Sequence, residues 1–379
     1  MPLYHNDDQA MLADSARGFM ADEGAIAKQL RHFRDIGCKD GFGHALWSQF
    51  AEMGFTGILV PEADGGLGMG HVEAGIVLEE IGRNLTPSPF LTSSVMAATA
   101  LGAGGDDLRG RYLPGLLEGT SVYAVAIDEG PKHRPERIAT SATRAGNGFK
   151  LSGTKSFVVQ GGSADMLVVA ARTAGSDDDS DGITLFAVPK DAAGLSMDSV
   201  RLVDSAMAAH IKLDNVQLDA DAVIGEVDGG RAVLNKVLNA GRVGAAAESV
   251  GVGMGAFDMT TTYLKQRKQF GKLIGEFQSL QHRAAHLYSE LEIARAAVIK
   301  AQQLLDGGSD KAELMVSVAK AKAGQAAGLA VKEGVQMHGG IGMTDEYDIG
   351  LYMKRDRALA EFMGDQYYHA QRVAVLSGY

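Results

Sequence analysis

The 379-residue chain is poor in the features on which secreted, metal-binding and membrane-spanning proteins depend. It has one cysteine, Cys38, and a single thiol excludes both a disulfide framework and a cysteine metal site. We therefore predict no metal and a reducing compartment. No segment reaches about 18 consecutive apolar residues, and the N-terminal stretch has neither a basic region nor an apolar core. These absences predict a cytoplasmic protein without a membrane span or a signal peptide.

Basic residues are also in the minority. The chain carries 36 Lys and Arg against 47 Asp and Glu, which gives a formal net charge of -11. Because nucleic-acid binding requires clustered cations that neutralise phosphates, this balance argues against a nucleic-acid partner. Hydrophobic residues make up 46% and charged residues 22%, which excludes a disordered or fibrous chain. The length predicts two or three domains.

The hydrophobic pattern changes twice along the chain. Apolar residues return every three or four positions up to about Glu118, every second position from about Ser121 to Asp221, and then again at helical spacing. This order predicts an α+β protein with an N-terminal helical domain (1–120), a middle antiparallel β-barrel or sandwich (121–221) and a C-terminal four-helix bundle (222–379).

Individual elements can also be predicted within this plan. Gly146-Asn147-Gly148 is typical of a tight turn between two strands. In the third domain, one long helix is predicted over Ala232–Phe270 and a second over Phe277–Leu305. A third is predicted to follow an N-cap at Ser309-Asp310 and to run to about Met337.

Two segments then point to a family. YLKQRKQFG (Tyr263–Gly271), continued by Phe277-Gln278, and QMHGGIGMTDE (Gln336–Glu346) resemble the two signature elements of the acyl-CoA dehydrogenases. VPEADGGLGMG with LEEIGR in the first domain and LSGTKSFVV in the second support the resemblance. The similarity covers nearly the whole chain in family order, and the combined motifs are far more specific than a lone Gly-Gly-x-Gly.

The resemblance implies FAD as cofactor and a set of residues that reach the adenosine-diphosphate half of a neighbouring subunit's FAD. An arginine fork and exposed backbone N–H groups suit pyrophosphate. Glutamine amides suit ribose or adenine, and an aromatic ring offers a flat apolar surface. The alternative is that the arginine is a surface cation and the glycines form a helix C-cap. The residues are Arg267, Phe270, Gln278, Gln336, Gly339 and Gly340.

On the substrate and flavin side, the resemblance implies that Arg242 contacts the coenzyme A part of an acyl-CoA substrate. The flavin-facing loop Ala126–Pro135 lacks the family's usual hydroxyls. Phe157 and Val159 lie where the family has a Trp-Ile-Thr-like triplet against the isoalloxazine. Phe157 can still stack on the flavin, whereas Val159 has lost a hydroxyl that would hydrogen-bond it.

The glutamate base that the family uses for α,β-desaturation is missing from both of its usual positions. The resemblance puts Gly364 at the common position and Gly241 at the alternative one, and glycine cannot accept a proton. Asp365 is the nearest substitute, although it also suits the N-cap of the final helix. Glu248 lies on the same helical face as Gly241 but about 10 Å along the axis, which is too far.

Three hypotheses follow. The first is a supporting subunit in a hetero-oligomer, a dimer of dimers, whose partner is an acyl-CoA dehydrogenase subunit that carries the glutamate. For this hypothesis, GGIGMTDEYDIG with Gly364-Asp365 resembles the small subunits of heteromeric steroid- and pimeloyl-type acyl-CoA dehydrogenases. The second is a self-sufficient homo-oligomeric dehydrogenase with Asp365 as base, and the third is a scaffold subunit that binds neither flavin nor thioester. A relative that uses oxygen is a further alternative. For a dehydrogenase, the resemblance implies an electron-transfer flavoprotein as electron acceptor.

Overall fold

A computed structural model describes residues 3–379 and divides the chain into two compact units. Unit one comprises Met1–His32, His71–Pro87 and Arg242–Tyr379, and unit two comprises Phe33–Gly70 and Ser88–Gly241. The predicted domain limits at 120 and 221 stay predictions, because these units follow packing rather than chain order. Across residues 3–379 no helix is long and apolar enough to cross a membrane.

Helices and strands follow the predicted order of helical, β-rich and helical segments. The helices are α1 (Asp7–Asp22), α2 (His32–Asp35), α3 (His44–Glu52), α4 (His71–Asn84), α5 (Ala98–Leu101), α6 (Asp106–Leu117), α7 (Gly230–Gln266), α8 (Gln278–Asp306), α9 (Ala312–His338), α10 (Ile349–Glu361) and α11 (Gln366–Leu376). The strands are β1 (Tyr123–Ala126), β2 (Ser141–Ala145), β3 (Gly148–Val159), β4 (Met166–Arg172), β5 (Ile183–Pro189), β6 (Leu195–Arg201), β7 (Met207–Leu218), β8 (Val223–Ile224), β9 (Lys268–Gln269) and β10 (Lys272–Leu273).

Unit one is a set of packed helices in which α8 lies on α9, and α9 also contacts α10 and α11. Helices α4 and α7 approach at backbone distance. A Cβ built on Gly251 of α7 would lie 1.9 Å from the carbonyl oxygen of Glu79, so only glycine allows this contact. Helix α4 is also bound to α8, because the Glu79 carboxylate accepts hydrogen bonds from Arg295 of α8, at 2.6 Å from Nη2.

The core of unit two is an eight-stranded sheet in the order β6-β7-β3-β2-β4-β5-β8, with β1 paired to β4. Most pairs are antiparallel, as predicted, but β1 runs parallel to β4. The predicted turn at Gly146-Asn147 joins β2 to β3, where Ala145 pairs with Gly148. Strand β6 was not predicted, because most of its residues are exposed and polar and leave little apolar alternation.

Two predicted helix limits are wrong. Helix α7 ends at Gln266 rather than Phe270, because Lys268–Leu273 turns back as the hairpin β9-β10. Helix α9 begins at Ala312 after Lys311 rather than from a cap at Ser309-Asp310. The Oγ of Ser309 instead accepts the N–H of Lys311 at 3.3 Å, within the turn that precedes the helix.

Candidate active site and cofactor surface

The two signature segments meet in unit one through an aromatic stack. The ring of Tyr263, in the last turns of α7, lies 4.4 Å from that of His338, and the ring of Tyr347 lies 4.8 Å from His338. His338 is buried, its Nδ1 lies 2.7 Å from the carbonyl oxygen of Gly334, and burial lowers its pKa. A neutral imidazole therefore joins the end of α7 to the glycine segment after α9.

In unit one, the residues predicted to contact a dinucleotide are exposed. Phe270 is 92% exposed at the tip of the hairpin, where its φ of 53° is rare for a bulky residue, and its ring meets Phe277 edge-on at 6.2 Å. A Cβ built on Gly339 or Gly340 would meet nothing within 4 Å, so the backbone there can be approached closely. This open surface fits a phosphate-bearing ligand. The other exposed members are Arg267, Gln278 and Gln336.

In unit two, the residues that the resemblance places against the flavin include an aromatic ring but lack the family's hydroxyl. Phe157 of β3 is 48% exposed at a φ of 52°, and its ring packs against that of His210 at 4.7 Å. Val159, two residues on, is half-buried and offers no hydrogen bond. These residues fit a flavin ring by stacking, without the hydroxyl that the resemblance associates with this position.

The loop before β2 is held by carboxylates in place of hydroxyls. Asp128 accepts the N–H of Arg134 at 2.9 Å and lies 2.8 Å from Nδ1 of His133. Glu129 pairs with Lys155 at 2.8 Å. Burial lowers the pKa of Lys155, and although burial alone would raise that of Glu129, Lys155 and hydrogen bonds keep it below its ordinary value. The loop is therefore fixed by a buried ion pair.

At the common base position, unit one leaves no room for a side chain. Gly364 has a φ of 101°, and a Cβ built there would lie 2.4 Å from Cδ1 of Tyr368. Asp365 caps α11, where its Oδ1 accepts the N–H groups of Tyr367 at 3.0 Å and Tyr368 at 2.8 Å. The carboxylate nearest to the missing base is therefore engaged in a helix cap.

The alternative base position is crowded by the side chain of Met96. In unit two, a Cβ on Gly241 would lie 3.0 Å from Sδ of Met96. Glu248, in unit one, is buried and accepts bonds from Arg355 at 2.8 Å and 2.6 Å. Neither position presents a carboxylate that is available as a base.

Several polar residues near Gly364 were not singled out from the sequence. Tyr368 accepts a hydrogen bond from Nη2 of Arg242 at 2.9 Å, and Arg242 itself is buried. Lys320 is also buried, and burial lowers its pKa to about 8. Asp356 has a pKa raised to about 6 by burial. Sequence patterns missed them because lysines and aspartates on helices usually face solvent.

Comparisons with known proteins agree with this fold and surface. The family models for the N-terminal, middle and C-terminal domains of acyl-CoA dehydrogenases match residues 6–120, 130–216 and 228–375. The chain is 33% identical over 322 residues to the acyl-CoA dehydrogenase FadE12 of Mycobacterium tuberculosis, which covers 82% of each chain. Fold and motifs thus define a flavin-dependent oxidoreductase.

Solved structures show the same likeness. A variant of the Tcur3481-Tcur3483 steroid ACAD is 30% identical, with a TM-score of 0.87 over 98% of each chain. A glutaryl-CoA dehydrogenase from Mycobacterium smegmatis, in complex with FADH2, shares the fold with a TM-score of 0.87 and 22% identity, over 99% of this chain and 96% of its own. The chain belongs to the acyl-CoA dehydrogenase family, whose cofactor is FAD. The predicted resemblance, fold class and cofactor are confirmed.

Proposed function

We propose that this chain is the supporting subunit of a hetero-oligomeric acyl-CoA dehydrogenase and helps to bind the FAD of a partner subunit that carries the glutamate base. The observation that carries the proposal is the turn at Gly364, where backbone conformation and the Tyr368 ring both exclude a glutamate side chain. The assembly would desaturate an acyl-CoA thioester and pass electrons to an electron-transfer flavoprotein.

The α,β-desaturation of a thioester depends on the carboxylate that this chain lacks. Removal of the α-proton of a thioester requires a base within hydrogen-bond reach, about 3 Å from the atom that gives up the proton. In this chain Gly364 and Gly241 have no side chain, Asp365 caps α11 and Glu248 is paired with Arg355. Proton removal is therefore assigned to the partner.

The exposed surface of unit one gives the chain its role in cofactor binding. Arg267 would pair with the pyrophosphate of the partner's FAD, and the N–H groups of Gly339 and Gly340 would donate to the same phosphates. Gln278 and Gln336 would bond ribose or adenine. When bound, FAD supplies the acceptor for the β-hydride.

Two further observations support an assembly. The likeness to the Tcur3481-Tcur3483 steroid ACAD extends over 98% of both chains. Phe270 is 92% exposed, and an aromatic ring left in water is stabilised when another surface covers it. We propose a dimer of dimers as the form in which this surface meets a partner's FAD.

The test is co-expression with an acyl-CoA dehydrogenase that is encoded beside this chain and carries the glutamate. Native mass spectrometry would count FAD per assembly, and acyl-CoA oxidation would be assayed for each preparation. We expect turnover only from the mixed assembly. Arg267→Ala should lower its FAD content, whereas Lys265→Ala, which removes an exposed cation from the last turn of α7 two residues earlier, should not. A homo-oligomer of this chain with full flavin and turnover would refute the proposal.

A further inference from the structure

The space beside Gly364 is occupied by an aromatic ring. A Cβ at this glycine would lie 2.4 Å from Cδ1 and 2.9 Å from Cε1 of Tyr368, well inside van der Waals contact. The first atom of any side chain at position 364 would therefore overlap the ring. Tyr368 thus takes over the volume in which the family's base would begin.

The hydroxyl end of Tyr368 engages the cation that the sequence assigned to coenzyme A. Nη2 of Arg242 donates to the phenol oxygen at 2.9 Å, and the Arg242 Cζ lies 5.6 Å from the ring centroid. The guanidinium of Arg372 lies on the same ring at 5.8 Å. Arg242 is only 2% exposed, so a thioester ligand could reach it only if the residues that cover it moved, and Tyr368 is one of the residues in contact with it.

The position of Tyr368 is fixed from two sides. Asp365 accepts the backbone N–H of Tyr368 at 2.8 Å and so holds the first turn of α11. Nζ of the buried Lys320 donates to the carbonyl oxygens of Leu359 at 2.9 Å and Gly364 at 3.3 Å. Both ends of the turn that carries Tyr368 are thus anchored through the backbone. The ring itself is held by the hydrogen bond from Arg242 to its hydroxyl.

We propose that Tyr368 is an internal occupant that closes the Arg242 side of unit one to acyl-CoA, so that this subunit has no thioester site of its own. The inference rests on the proposed function, in which the partner supplies both the base and the bound thioester. It extends that function because it names Tyr368 as the residue that keeps acyl-CoA out of this subunit. A glutamate at position 364 could be accommodated only if this ring moved away.

The test is calorimetric titration of the purified chain with butyryl-CoA, comparing the wild type with Tyr368→Ala and Tyr368→Phe. We expect no measurable binding for the wild type or for Tyr368→Phe, which keeps the ring. Tyr368→Ala should bind at least ten times more tightly than either. Thermal unfolding checks that each variant folds, and Tyr368→Leu, which keeps apolar burial with a smaller side chain, replaces Tyr368→Ala if that variant does not.

Two results would overturn the inference. One is equal affinity for butyryl-CoA in the wild type and in the truncated variant. The other is tight binding by Tyr368→Phe, because the ring volume would then not be what excludes the ligand. Either result leaves the proposed function standing, since a supporting subunit that binds butyryl-CoA without oxidising it still lacks a base. Turnover by the chain alone would instead refute the proposed function.

Discussion

Lys320 offers a test of the Gly364 turn that requires neither cofactor nor partner. Its ammonium group is buried, and desolvation lowers its pKa from 10.5 to about 8. The negative charges of Asp356, Asp365 and Glu361 partly offset this decrease in the pKa, and the positive charge of Arg242 adds to it. The unfolded chain has no such burial, so there the lysine keeps its ordinary pKa.

The sign of the pH effect follows from these two values. Between pH 8 and 10.5 the unfolded chain binds a proton that the folded chain has released, so stability rises with pH. At about 1.4 kcal/mol for each pKa unit, integration over the two titrations gives a gain of about 2.5 kcal/mol from pH 7 to pH 10. Lys320→Met removes the group and with it this gain, and it also leaves the carbonyls of Leu359 and Gly364 without their donor.

The measurement is the free energy of unfolding in urea at several pH values. Because all other titrations are shared, the difference in unfolding free energy between wild type and Lys320→Met isolates this lysine, and this difference should grow by about 2.5 kcal/mol from pH 7 to pH 10. Lys322→Met is the control: Lys322 lies on the same helix and pairs with Glu290, and that variant keeps Lys320 and so the wild-type profile. A difference between wild type and Lys320→Met that stays constant within about 0.5 kcal/mol would refute the burial argument.

Three further predictions concern the same turn and the alternative base position, and each is measured by urea denaturation. Gly364→Ala should cost about 2–4 kcal/mol because of its positive φ and the overlap with the neighbouring ring. Gly308→Ala, which has a positive φ but open space, should cost about 1 kcal/mol, and equal losses would contradict the overlap. Gly241→Ala should be nearly neutral, since a better helix former offsets the small shift of the Met96 tip; a loss above about 2 kcal/mol would show that this site is rigid. Asp365→Ala should lose about 1 kcal/mol while Asp365→Asn keeps the cap, and the idea of a structural cap fails if both lose equally.

Fold and cofactor could be predicted because they rest on local patterns. The Gly146-Asn147 turn and the short apolar runs of β4 and β5 are visible in neighbouring residues, and the signature segments identify the family. The Gly364 turn is different. Its glycine is visible in the sequence as an absent base, but the contact of Tyr368 with Arg242 joins residues that are far apart in the chain, and no periodicity reports it.

The same limit explains the two misplaced helix ends. Phe270 lies in a sequence with good helical spacing, yet it adopts a left-handed backbone because the hairpin β9-β10 requires it. Helix propensity is a weak preference that local tertiary structure overrides. For the same reason the sequence suggests that Lys320 and Asp356 are ordinary surface charges, and only packing shows that Lys320 is buried and Asp356 half-buried.

The stack of Tyr263, His338 and Tyr347 couples the end of α7 to the glycine segment after α9. A substitution in one of these two segments should therefore also disturb the other. Removing the Tyr263 ring would loosen the glycine segment that follows α9, although Tyr263 itself need touch no ligand. Variants that abolish dinucleotide binding should therefore arise at positions that a survey of ligand contacts would pass over.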